Sequence, residues 1–199
     1  MIAIVDYGVG NLRSVERALL DAGAKPRVTS DKADLSRANG LVLPGVGAFA
    51  PALERLRSGN LGREIIDLAR KGMPLLGICL GYQVLFEESN EHGRHEGLGL
   101  LPGKIGEVKA AARIPVIGWC RVRQTDWSPL WEGIEDDSYF YFVHSYTPVS
   151  GEGSIGSAEH APAAASARVN VMGTQFHPEK SGPDGLRLYA NFLGVCGAG

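Results

Sequence analysis

Cysteine is scarce. The chain has three in 199 residues, Cys79, Cys120 and Cys196, spread far apart and with no Cys-x-x-Cys pair. That pattern suggests neither a disulfide framework nor a zinc site, and no metal is expected. An excess of one charge is also missing: 20 Lys and Arg stand against 22 Asp and Glu, for a formal net charge of -2. With no basic run interleaved with aromatics, nucleic acid is excluded as a main partner. Long hydrophobic runs are absent. The longest mostly apolar stretch, Met73 to Phe86, is broken by Gly and Gln and is too short to span a bilayer. The start, Met1-Ile2-Ala3-Ile4-Val5-Asp6, lacks the basic lead of a signal peptide, so a cytoplasmic location is expected. There is no internal repeat and no linker. A hydrophobic fraction of 44% is ordinary for a soluble globular chain, and one domain over residues 1–199 is the expected count.

The first ~90 residues alternate short apolar runs with helical periods. Ile2 to Val5 reads as a buried strand. After Asp6-Tyr7-Gly8-Val9-Gly10-Asn11, Leu12, Val15, Ala18, Leu19 and Ala22 recur at helical spacing, with Asn11 as N-cap and Gly23 as the stop. Gly8-Val9-Gly10 lacks the third glycine and the acidic residue of a dinucleotide fingerprint. Residues 25–29 and 40–43 read as strands, and 51–56 and 61–69 carry helical pattern. Alternation of this kind predicts a parallel sheet covered on both faces. From about residue 88 the texture turns to short β-like runs, clearest at 121–125, 139–147 and 169–176. An antiparallel element is expected there, closed by a helix over 185–195.

Chemistry concentrates at Pro74 to Phe86. Pro74-Leu75-Leu76-Gly77-Ile78 reads as a buried strand, and Leu80, Val84 and Leu85 as the start of a buried helix, with Cys79 at the joint between Gly77 and Gly81. Free cysteine is commonly just a small core hydrophobe. Small residues on both sides are nevertheless what a sharp strand-to-helix turn needs when its middle residue is a nucleophile. A thiol of pKa about 8.5 is only ~3% thiolate at pH 7, and a helix N-terminus with a histidine nearby would lower that pKa. His92, His95 and His160 read as surface residues, and His144, after an apolar run, as a core or site-lining one. His177 follows the run Val171 to Phe176 and precedes Pro178-Glu179-Lys180. Proline at 178 favours extended backbone at His177, which would point His177 and Glu179 to one side. A base oriented by a carboxylate is what nucleophilic catalysis requires, although the same pair is equally readable as a surface ion pair at a strand end.

Gly77-Ile78-Cys79-Leu80-Gly81-Tyr82-Gln83 together with Gln175-Phe176-His177-Pro178-Glu179 resembles the class I (triad) glutamine amidotransferases. Asp6 to Asn11, Pro44-Gly45-Val46-Gly47-Ala48-Phe49, Tyr141 to Tyr146 and Lys180-Ser181 narrow the resemblance to the glutaminase subunits of imidazole glycerol phosphate synthases, over nearly the full length. The resemblance implies a flavodoxin-like α/β fold and hydrolysis of glutamine to glutamate and ammonia, with no cofactor. It implies Cys79 as nucleophile, His177 as acid and base, and Glu179 as its orienting partner. The backbone N–H of Leu80 and one from the Gly45-Val46 region would form the oxyanion hole. Gln83, Gly47 and the Ser145-Tyr146 backbone would hold the substrate. It further implies a heterodimer with a (β/α)8-barrel cyclase, with Asn11, Trp119, Tyr141 and Lys180 at the interface. Val116 and Cys120 depart from the His and Asn usual in that family. A glutaminase of another synthase, or a catalytically silent binding module, would share the fold; the intact triad and the Gly-Val-Gly-Asn and His-Pro-Glu-Lys stretches favour the first reading.

Overall fold

A computed structural model describes residues 1–109, 111 and 113–197. Five parallel strands lie in the order Pro26–Thr29, Ile2–Val5, Gly40–Gly45, Leu75–Cys79 and Val171–Thr174. This is the flavodoxin-like order 2-1-3-4-5, with the fifth place filled from late in the chain. The three inner strands Ile2–Val5, Gly40–Gly45 and Leu75–Cys79 are buried at every position. Alternate side chains therefore serve two cores. Ile2, Ile4, Val42, Leu76 and Ile78 face the helices Leu12–Asp21 and Gly182–Val195. Ala3, Val5, Leu41, Leu43 and Leu75 face the helices Lys32–Arg37, Phe49–Ser58 and Leu61–Arg70.

Helix Leu12–Asp21 stops where expected: Gly23 takes φ +93°, Ala24 N–H donates to Leu19 O and Gly23 N–H to Leu20 O, closing a Schellman motif. At the other end Asn11 holds the cap position, but its side chain makes no capping hydrogen bond. The short helix Lys32–Arg37 escaped the periodicity. It is only six residues long and depends on Asp31, whose carboxylate accepts from Ala33 N–H and Asp34 N–H.

The antiparallel element is continuous with the parallel sheet. Val171–Thr174 pairs parallel with Leu75–Cys79 on one side and antiparallel with Ala161–Arg168 on the other, and Ser154–Ala158, Val116–Gln124 and Ser138–His144 extend the sheet from there. A second sheet runs Tyr146–Pro148, Lys104–Glu107, Glu88–Ser89, His95–Glu96. The Gly- and Ala-rich stretch around 151–165 thus forms a hairpin. Small residues suit it because large ones press on it: a Cβ at Gly156 would lie 2.7 Å from Trp131, and the Tyr82 hydroxyl donates to Ala163 O at 3.1 Å. Among the described residues no helix is long and apolar enough to cross a membrane.

Strand Leu75–Cys79 passes directly into a helix, but one of a single turn, Leu80–Gln83. The longer helix expected there does not form, because the Val84 carbonyl accepts from Leu98 N–H and the Leu85 carbonyl from Leu100 and Leu101 N–H. Cys79 at the joint has φ +54° and ψ -111°, left-handed territory that a non-glycine residue enters at a cost of about 1–3 kcal/mol. Three glycines let this kink press against the neighbouring strand. A Cβ at Gly45 would sit 2.6 Å from Gly81 N, one at Gly77 2.7 Å from Tyr82 Cα, and one at Gly81 inside the Leu43 carbonyl oxygen.

Gly81→Ala is therefore expected to lower stability by about 3 kcal/mol or more, since the clash is backbone against backbone. Gly194→Ala, a helical position with open space around it, should instead stabilise by about 0.5–1 kcal/mol. Urea unfolding midpoints of the two variants measure both, and a neutral Gly81→Ala would refute the packing described.

Candidate active site

The carboxyl ends of Gly40–Gly45 and Leu75–Cys79 open onto a cleft of about 580 Å³. Eight of the residues singled out from the sequence line it: Val46, Gly47, Cys79, Leu80, Gln83, Ser145, Tyr146 and His177. Glu179 stands behind them, its side chain 1% exposed, with Oε1 accepting from His177 Nδ1 at 2.7 Å. His177 is extended, at φ -101° and ψ 96°, as expected before proline. Pro178–Lys180, however, is a 3-10 turn, so the pair meets across a turn rather than along a strand. The turn is tied down by Ser181, whose hydroxyl donates to His177 O at 2.6 Å and accepts from Tyr141 N–H at 3.0 Å.

Nδ1 of His177 must donate to the carboxylate, which leaves Nε2 for chemistry. Nε2 is buried and makes no hydrogen bond of good geometry within the protein. Burial pulls the ring's pKa down, but hydrogen bonding and charge from Cys79 and from Glu179 outweigh it and hold His177 at about 10. A protonated imidazole thus faces the sulfur at neutral pH. Around that sulfur, Gln175 Nε2 donates to Cys79 Sγ at 3.8 Å, and Gln83 Nε2 donates to Gln175 Oε1 at 3.1 Å and to Tyr146 O at 2.7 Å. Gln83 has spent both amide protons, so its carbonyl oxygen is what it offers a ligand.

Gln175 is the residue that sequence reasoning missed at the sulfur. The signal was available, since it lies two residues before His177 in an extended run and so shares its side. Glu91, His92 and Glu107 also line the cleft, and Glu91 Oε2 accepts from Phe49 N–H at 2.8 Å, holding the helix that follows the 44–47 loop. Beneath that loop the Tyr7 hydroxyl donates to Pro44 O at 2.8 Å. His160, expected at the surface, is 7% exposed and packs edge-on against Phe142, 4.9 Å between ring centroids. Its ring is tilted against that of His144, 5.1 Å between centroids. The hairpin of Ser154–Ala158 and Ala161–Arg168, whose turn holds His160, is what carries it inward.

On the outside of Val116–Gln124 and Ser138–His144, Trp119 is 53% exposed and meets the Tyr141 ring edge-on at 6.2 Å, and Lys180 Nζ lies 5.5 Å from the same ring centroid. Ile117 and Tyr139 extend this apolar, exposed face. Asn11, exposed at the head of its helix, makes no side-chain capping bond.

The family model described as glutamine amidotransferase class-I matches residues 3–195. A protein of Desulfitobacterium hafniense (strain Y51) named imidazole glycerol phosphate synthase subunit HisH is 50% identical over 197 residues, covering 96% of this chain and 93% of the relative. One of the same name from Bacillus cereus (strain G9842) is 47% identical over 201 residues, covering 100% and 96%. A crystal structure described as a glutamine amidotransferase superposes with a TM-score of 0.80 at 21% identity, covering 99% of this chain and 100% of the other. A second, PurLQS from Thermotoga maritima, gives 0.73 at 21% identity, covering 97% of each.

The buried histidines give stability two opposite dependences on pH. Burial, reinforced by the His160 and His177 rings and partly offset by its Nδ1–H bond to Tyr146 O at 2.8 Å, lowers His144 to about 4. The unfolded chain then binds more protons, so stability falls as pH drops from 6.5 towards 4, by roughly 3 kcal/mol at most. His177, raised, contributes stability fully below pH 6.5 and loses it as pH rises towards 10. His144→Asn should flatten the acid side alone. Unfolding free energies at pH 4.5, 6.5 and 8.5 test this, and an unchanged acid slope would contradict it.

Proposed function

The chain belongs to the class-I glutamine amidotransferase family, and we propose on that premise that it is the glutaminase subunit of an imidazole glycerol phosphate synthase, releasing ammonia from glutamine for a cyclase subunit in histidine biosynthesis. The observation that carries the mechanism is His177 in one cleft with a cysteine on a strained elbow, its ring backed by the buried Glu179 carboxylate at 2.7 Å.

Cys79 Sγ attacks the carboxamide carbon of glutamine, forming a C–S bond and pushing the carbonyl electrons onto oxygen. Backbone N–H groups of Leu80 and Val46 receive that oxygen. Each such donor is worth about 3–4 kcal/mol of transition-state stabilisation. As the tetrahedral centre collapses, His177 gives its Nε2 proton to the departing nitrogen, the C–N bond breaks and ammonia leaves a thioester behind. The neutral ring then takes a proton from water, whose oxygen attacks the thioester and frees glutamate and the thiol. Glu179 holds the ring's tautomer and stabilises its charge in both halves. Gln175, donating to the sulfur, stabilises negative charge there when the thioester breaks. Gln83 accepts from the substrate through its carbonyl oxygen, the Ser145-Tyr146 backbone and Gly47 line the amino-acid end, and the Glu91 carboxylate supplies the counter-charge for its ammonium group.

Ammonia released into water would protonate and lose its nucleophilicity, so the product needs a docked acceptor. The exposed face of Ile117, Trp119 and Tyr139 with Tyr141 and Lys180 suits that contact, and Lys180 is covalently next to Glu179. The partner in this reading is a (β/α)8-barrel cyclase, held in a heterodimer with Asn11 at the rim. All three cysteines are free thiols, which suits a reducing cytoplasm.

Cys79→Ser should keep the fold and lose glutamine hydrolysis by at least about a hundredfold, because serine lacks an ionisable sulfur. Glutamate release per enzyme, with circular dichroism as a folding control, decides it; retention of more than a tenth of wild-type turnover would remove Cys79 from the chemistry. Turnover of the isolated chain should also rise about a hundredfold when a cyclase with bound acceptor docks. The switch in this reading is the 44–47 loop, gated between a resting conformation and one whose N–H groups meet the oxyanion, and a hundredfold rise requires the partner to bind the second more tightly by only about 2.7 kcal/mol. Equal rates for the chain alone, with cyclase, and with cyclase plus acceptor ligand would dismiss the gating while leaving the triad in place.

A further inference from the structure

Glu179 uses one oxygen on His177, and the other, Oε2, is buried without a hydrogen-bond partner. Buried carboxylate oxygens are rarely left so, and a complementary orphan lies nearby. Tyr189, 0% exposed, has a hydroxyl that is likewise buried and unpartnered. It sits on helix Gly182–Val195, one turn beyond Gly185 and on the same face. Gly185 is where that helix presses against the turn bearing Glu179, since a Cβ there would run into the Pro178 carbonyl oxygen. The phenol is accordingly held well above its usual range, first by burial and then by the Glu179 carboxylate facing it. An orphan donor and an orphan acceptor thus lie side by side in a dry interior.

We propose that Tyr189 is a positioning residue of the active site, its O–H donating to Glu179 Oε2 so that the carboxylate is held by both oxygens and cannot rotate away from His177. The chain of contacts becomes Cys79, His177, Glu179, Tyr189, and the C-terminal helix becomes a support of the chemistry rather than only a cover for the sheet. A neutral phenol suits this role, because it donates to the carboxylate without competing with imidazolium for its charge.

The inference rests on Glu179 being the carboxylate that orients His177. Tyr189→Phe removes one oxygen and leaves the ring packing, so the variant should fold. With the cyclase subunit and its acceptor present, its kcat for glutamine hydrolysis should fall about three- to tenfold, as for loss of a group supporting a catalytic one, while KM for glutamine stays within about twofold. Its unfolding midpoint should fall too. An unpaired phenol makes the opposite prediction, because deleting an orphaned buried hydroxyl leaves stability unchanged or raises it. A midpoint equal to or above wild type, or a lowered midpoint with kcat unchanged, overturns the proposal. Glu179→Gln separates the two levels: if it retains wild-type turnover, the triad reading itself fails, whereas a crippled Glu179→Gln beside a fully active Tyr189→Phe rejects only the role of Tyr189.

Discussion

Everything at the active end of this molecule depends on one backbone constraint, the kink that holds Cys79 at φ +54° between strand and helix. The kink survives because the strand Gly40–Gly45 comes close enough for Gly45 and Gly81 to touch without side chains. That approach brings the 44–47 loop to the lip of the cleft that Cys79 lines. Strain of about 1–3 kcal/mol at one residue is small against the two cores that surround it. The sheet holds the kink rigidly because Leu75–Cys79 is hydrogen-bonded to parallel strands on both sides.

The second organising influence is dryness. His177 and Glu179 have side chains 3% and 1% exposed, so their 2.7 Å contact is little weakened by water. Burial alone would leave His177 neutral, and its interactions with Cys79 and Glu179 reverse that. His144, three residues beyond the Tyr141 carbonyl that accepts from His177 N–H, has no carboxylate against it and shows the opposite outcome, remaining neutral. Two buried histidines in one region thus differ in protonation because only His177 has Cys79 and Glu179 against it.

The antiparallel extension gives the cleft its roof and its outer face. Strand Ser138–His144 turns Phe140, Phe142 and His144 inward and leaves Tyr139 and Tyr141 outward, so one element both packs on the Phe176 aromatic cluster and presents an exposed aromatic face. Tyr141 O accepts from His177 N–H at 2.9 Å, which puts a single hydrogen bond between the exposed face and His177.

The sequence by itself determined the features written in contiguous residues. The apolar runs Ile2 to Val5, Leu41 to Leu43 and Leu75 to Ile78 announced central parallel strands, because a strand buried on both faces has no polar positions. Gly77-Ile78-Cys79-Leu80-Gly81 announced an elbow, because no residue larger than glycine fits at its flanks, and His177-Pro178-Glu179 announced a histidine and a glutamate facing one another. Local chemistry cannot report which distant atoms converge. His160 carried into the core and the buried hydroxyl of Tyr189 were decided by the tertiary structure, through strands and helices far apart along the chain. The hairpin Ser154–Ala158 with Ala161–Arg168 was likewise hidden. Its glycines and alanines lack an amphipathic period, and their size makes sense only once Trp131 and Tyr82 are packed against them.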